Sequence, residues 1–168
     1  MKMSKEELMQ LLVNGKSIEH AKKIAADLRP IIISGDIVQI PAKAIKSFCS
    51  KLDFKTAQKR CSVTPLQRWT AECVGYTGKS RARGYGNVNW SDGGKTRSIR
   101  AHRLAYMIGV GSIPRGHLVR HKCHQPLCVA PWCLSSGTSQ DNLGSDRLPE
   151  VLLENPCVLR GARGGSGR

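Results

Sequence analysis

Within twenty-two residues, from His121 to Asn142, the chain collects His121, Cys123, His124, Cys128, Cys133, Asp141 and Asn142. Cys123, Cys128 and Cys133 stand five apart each time. Clustered thiols at such spacing suit a soft, tetrahedral ion such as zinc, which takes four thiolate or imidazole ligands. The intervening loop, punctuated by Pro126 and Pro131, is too short to pack a core and would need such a staple. Three ligands leave a fourth to come from elsewhere, and Cys73, before a Gly-rich turn, is the leading choice, with Cys61 and His102 as substitutes. The scattered Cys49, Cys61 and Cys157 read as small buried apolar residues. The N-terminus, MKMSKEELMQLL, lacks the apolar stretch of a secretion signal, so an intracellular protein with reduced thiols is expected.

The elements that must hold these residues can be read from pattern. The 168 residues are 40% hydrophobic, enough for a core, and no apolar run is long enough to span a membrane. The net charge of +15 points to a polyanion, most simply nucleic acid. Residues 71–120 hold nine basic and two acidic side chains, the densest basic stretch. Ser4 and Glu7 have capping-box spacing before Leu8, Leu11 and Leu12, and a second helix is predicted from Ser17 to Leu28, stopped by Pro30. Ile31–Ile40 reads as a hairpin or connector, and Ala42–Ser50 and Phe54–Cys61 as short basic helices able to form a DNA-binding module.

Tyr85–Ser91 and Lys95–Arg100 alternate around Asp92-Gly93-Gly94 and predict a β-hairpin. A three-residue turn would set Lys95 and Arg97 beside Asn87 and Asn89; a two-residue turn would pair them with Val88 and Trp90. Such a ribbon fits a major groove, where Arg and Asn read base edges. A helix is expected over Ala101–Gly109, capped by Gly109 or Gly111. A strand follows to His121, then the cysteine loop, a strand over Leu134–Ser136, a turn at Gly137, and a helix capped by Thr138 and running to about Arg147.

The segments His121-Lys-Cys123, Pro126-Leu-Cys128, Pro131-Trp-Cys133-Leu134 and Gly137-Thr-Ser-Gln-Asp141-Asn142 resemble the HNH endonuclease motif. More closely, they are similar to the zinc-containing ββα-metal core of the His-Cys box homing endonucleases and related phage HNH enzymes. Glu72–Gly78, Gly84–Gly86 and Ala101–Tyr106 resemble the segment before that motif, so the likeness covers roughly residues 66–147. Family members often carry His where Cys133 stands; Cys and His exchange as zinc ligands, so the departure is benign. Cys73 aligns with the family's upstream ligand.

Pattern and resemblance together give an expected α+β protein in three parts: a helical N-terminal part over 1–62, a hairpin and ββα-metal nuclease core over 63–148, and a tail over 149–168, the resemblance bearing on the core alone. That resemblance implies a Mg²⁺-dependent DNA endonuclease with a structural Zn²⁺ on Cys73, Cys123, Cys128 and Cys133. His121 would be the general base, its other ring nitrogen held by a backbone carbonyl of the zinc loop, and Asn142 would be the Mg²⁺ ligand. Arg81, Arg83, Asn87, Asn89, Lys95, Arg97, Arg100 and Arg103 are the expected contacts to double-stranded DNA, and Arg81, Arg83, Arg100 and Arg103 all qualify for the scissile phosphate. Asp141 and His124 read as surface groups. The apolar tail residues Val151, Leu152, Leu153, Val158 and Leu159 suggest a homodimer contact. A zinc-stabilised DNA-binding protein without catalysis is the competing reading.

Overall fold

Ser4 and Glu7 cap the first helix reciprocally: the Glu7 N–H donates to Ser4 Oγ at 3.1 Å and the Ser4 N–H to the Glu7 carboxylate at 2.7 Å. A computed structural model describes residues 4–33, 35–54, 73–78, 84–123 and 125–140. Helix α1 (Lys5–Asn14) buries Leu8 and Leu12, and α2 (Ile18–Asp27), capped by Ser17, buries Ala21 and Ile24. Strands β1 (Ile31–Ile33) and β2 (Asp36–Val38) pair antiparallel, and α3 (Ala42–Cys49) turns Ala44, Ile45, Phe48 and Cys49 inward. The predicted elements over 1–50 are therefore present. The helix expected over Phe54–Cys61 lies outside the described residues apart from Phe54, as do Cys61 and Cys157.

Strand β3 (Leu52–Asp53) pairs with β4 (Gly75–Tyr76), joining the helical part to the first ligand segment. Strands β5 (Asn87–Asp92) and β6 (Lys95–Arg100) form the predicted hairpin. Its register answers the question that the sequence left open. Asp92 faces Lys95, Trp90 faces Arg97 and Asn89 faces Ser98, which is the two-residue turn. Gly93 and Gly94 have φ of 54° and 79°, the two left-handed residues of a type I′ turn, whose twist matches that of the strands. Lys95 and Arg97 accordingly share the face of Val88 and Trp90, not that of the asparagines.

Helix α4 (Ala101–Gly109) follows directly, and the Gly111 N–H closes its end on the Tyr106 carbonyl at 3.1 Å. Strand β7 (Leu118–His121) pairs antiparallel with β8 (Leu134–Gly137), and the cysteine loop between them ends in a 3-10 turn over Pro131–Cys133. Gly137, expected as a turn, is instead the last ladder residue, opposite Leu118. The Arg120 guanidinium lies over it, 3.0 Å from where a Cβ would stand. Ser139 and Gln140 are helical. One buried cluster runs through the described residues, from Leu12, Ile24, Ile45 and Phe48 to Tyr76, Val88, Leu104, Val129 and Leu134. Phe48 stacks on Tyr76 at 5.8 Å, so α3 and the ligand-bearing β4 are packed as one body.

Candidate metal centre and histidine site

Cys73 reaches the cysteine loop because its strand pairs with that loop. The Val129 N–H donates to the Val74 carbonyl at 2.8 Å, the Tyr76 N–H to the Leu127 carbonyl at 3.0 Å, and Gly75 forms an antiparallel bridge with Cys128. Within the loop, the Cys128 N–H donates to the Gln125 carbonyl and the Cys133 N–H to that of Ala130, two tight turns that bend the chain around a centre. The sulfurs of Cys73, Cys123, Cys128 and Cys133 then all lie within 4.8 Å of one another. An ion bound tetrahedrally at a metal–sulfur distance of about 2.3 Å sets its sulfurs ~3.8 Å apart, so the cluster has the size of such a site.

Cys73, Cys128 and Cys133 are buried and Cys123 is half-buried. The thiols are strongly coupled. Hydrogen bonds from Cys123 and Cys133 drive Cys128 down toward thiolate, while hydrogen bonding with Cys123 pushes Cys73 and Cys133 up. A divalent cation bound by the four sulfurs would replace the shared protons. Four sulfur donors leave no position for a substrate, which makes the centre structural in character. Cys49 is different: it is buried alone, and burial pushes its thiol up to about 12, against a smaller opposing pull from Lys16.

His121 ends β7 opposite Leu134, one residue past the 3-10 turn, so the metal loop and the imidazole share a backbone frame. Its Nε2 lies 2.9 Å from the Cys128 carbonyl oxygen. A carbonyl only accepts, so Nε2 carries the hydrogen and the lone pair is on Nδ1, the arrangement of a proton acceptor. Three rings meet here. His102, in the first turn of α4, is 4.7 Å from His121; Tyr85 is 5.8 Å from His121 and 5.3 Å from His102. The Arg100 guanidinium lies 5.6 Å over the Tyr85 ring. Sequence reasoning named His102 only as a substitute ligand and gave Tyr85 no role. The structure keeps His102 out of the sulfur cluster and sets it against His121.

The other expected site residues fall into three groups. Asn89, Lys95 and Arg103 are exposed, and Arg100 is half-buried, on one continuous stretch of hairpin and helix start. Asn87 and Arg97 are not presented as expected. Asn87 is 6% exposed, and its carbonyl accepts from the Tyr76 hydroxyl at 3.0 Å. The Arg97 side chain is 11% exposed and paired with Asp36 at 2.5 Å, with Asp92 beyond at 3.6 Å. The two-residue turn is the cause, since it turns Arg97 toward the β1–β2 hairpin. Arg81, Arg83, His124, Asp141 and Asn142 lie outside the described residues, as does the tail over 149–168.

Comparison with known proteins agrees with the site. The family model described as HNH endonuclease matches residues 100–143, the segment from the end of β6 to just beyond Asn142. Two curated proteins of Escherichia phage T7 are similar. Protein 7.7 is 34% identical over 71 residues, which is 42% of this chain and 52% of the relative. Protein 2.8 is 36% identical over 70 residues, 42% of this chain and 45% of the relative. The chain spans about half the length of the curated relatives that it matches. No solved structure matches it. The segment that resembles the HNH endonuclease family, residues 100–143, carries His121 and three of the four clustered cysteines.

Proposed function

We propose that the chain is a Mg²⁺-dependent DNA endonuclease whose ββα-metal core is held by a structural Zn²⁺. The four-sulfur donor set suits zinc, and the family match supports phosphodiester hydrolysis. One observation carries the reading: the bond from His121 Nε2 to the Cys128 carbonyl leaves the lone pair on Nδ1. In its neutral form such an imidazole takes a proton from the attacking water as general base. Asn142 offers a hard carbonyl oxygen to Mg²⁺. When bound, that ion supplies relief of negative charge on the scissile phosphate and leaving oxygen.

Zinc has a positional part in this scheme. Held by Cys73, Cys123, Cys128 and Cys133, it would fix the loop whose Cys128 carbonyl orients His121. Asn89, Lys95, Arg100 and Arg103 form the DNA contact surface with Arg81 and Arg83, and a homodimer, joined through the tail, would present one centre to each strand. The test is incubation of supercoiled plasmid with the protein and Mg²⁺, with an EDTA control. Relaxed or linear product that disappears with EDTA supports the reading. Tight binding without any cleavage would favour a zinc-stabilised DNA-binding protein.

A further inference from the structure

We propose that His102 and Tyr85 are positioning residues, which together clamp the His121 imidazole by packing against it and hold it in the rotamer that its bond to Cys128 selects. The proposal rests on the reading of His121 as general base. The hydrogen bond at Nε2 restrains one ring atom of His121, and rings packed as walls against the imidazole restrain its plane.

The walls come from separate elements. Tyr85 precedes β5 and lies 5.8 Å from His121 with the planes 29° apart, a stacked contact. His102 comes from the start of α4 and meets His121 at 4.7 Å with the planes 58° apart, a tilted one. Their own contact, at 5.3 Å, closes the triangle, and Arg100 covers Tyr85 at 5.6 Å. His102 is 7% exposed, and its Nδ1 has no hydrogen-bond partner among the described residues, so packing rather than that nitrogen sets the ring. Burial, and then the neighbouring His121, Arg103 and Arg100, hold the His102 pKa down at about 3, so the wall is uncharged near neutral pH. Loss of such a wall lets the base wander by a fraction of an ångström, enough to reduce turnover without changing how DNA is bound.

The experiment compares wild type, His102→Ala, His102→Phe and Tyr85→Leu as full-length, zinc-loaded proteins. Two readouts are taken: kcat and KM for plasmid cleavage, and the ¹⁵N-edited ring spectrum of His121, which reports its tautomer without any turnover. His102→Ala should lower kcat about 10- to 100-fold with KM within about threefold. Its His121 spectrum should shift from the single Nε2–H form toward a tautomer mixture. His102→Phe keeps a flat ring while removing both ring nitrogens, and should restore most of both. Tyr85→Leu, whose residue is half-buried and less exposed to folding defects, should repeat the His102→Ala pattern more weakly. If His102→Phe fails as badly as His102→Ala while the His121 tautomer stays wild type, a nitrogen of His102 does the work and the clamp is wrong. Unchanged tautomer and kcat in both His102→Ala and Tyr85→Leu would also overturn it. A wild type that cleaves nothing refutes the general-base reading instead, and the ring spectra still decide whether the clamp exists.

Discussion

Cys73 is the residue whose role depends most on distant pairing, since about fifty residues separate it from the other three sulfurs. Cys73→Ser should therefore lower bound zinc from about one ion per chain to a small fraction and lower the melting temperature with it. Cys49→Ser should leave zinc content unchanged, because Cys49 is buried away from the cluster. Elemental analysis alongside thermal melts checks both. His102 gives a pH prediction. Its folded pKa of about 3 lies below the ordinary 6.5, so between those values the unfolded chain holds the proton and the folded one does not. The stability linked to His102 is thus complete above about pH 6.5 and is lost as pH falls toward 3. In melts from pH 7 to 4, His102→Phe should lose less stability than wild type; parallel curves would contradict the assignment. The cysteine spacing and His121 were legible in the sequence because ligand chemistry imposes fixed intervals along the chain. The contacts of Tyr85 and His102 with His121 were not, since rings that meet from three elements leave no interval to read.

Local periodicity marked the elements well where it is strong. The bounds of α4 follow from its apolar spacing, and the capping box of α1 is written in Ser4 and Glu7. The register of β5–β6 was undecided because both turn lengths keep Val88 and Trp90 on one face; only the φ values of Gly93 and Gly94 separate them. Contacts between elements were equally hidden. Gly109, at the end of α4, sits where a Cβ would come within 2.5 Å of Pro131 in the metal loop and 2.7 Å of Leu8 in α1. A methyl group there must push three elements apart. Gly109→Ala should cost about 1–3 kcal/mol despite alanine's higher helix propensity. A denaturant melt that finds Gly109→Ala as stable as wild type would refute the close packing of α1, α4 and the loop.

Across the whole molecule the basic excess sets the terms of binding. The net charge of +15 and the exposed Asn89, Lys95 and Arg103 predict affinity for duplex DNA that falls steeply with salt. Lys95→Ala should weaken binding to all sequences alike and flatten the salt dependence by about one phosphate contact, as fluorescence anisotropy in a salt series would record. Composition is where the proposed partner class is legible, since a charge imbalance needs no fold to be counted. It could not show that Arg97 is taken by Asp36, because that pair joins two hairpins sixty-one residues apart. Nor did it show that α1 and α3 share their core with the ligand-bearing β4.

We propose His121, oriented by the carbonyl of Cys128, as the base for phosphodiester hydrolysis. The most direct measurement is plasmid cleavage by His121→Ala beside wild type, with DNA affinity and zinc content determined on the same samples. We expect a loss of at least about 100-fold in cleavage rate, with affinity within a few-fold and zinc unchanged, because a general base acts in the transition state rather than in binding. Cleavage by His121→Ala at a few per cent of wild type or more, in protein that keeps its zinc, would contradict it.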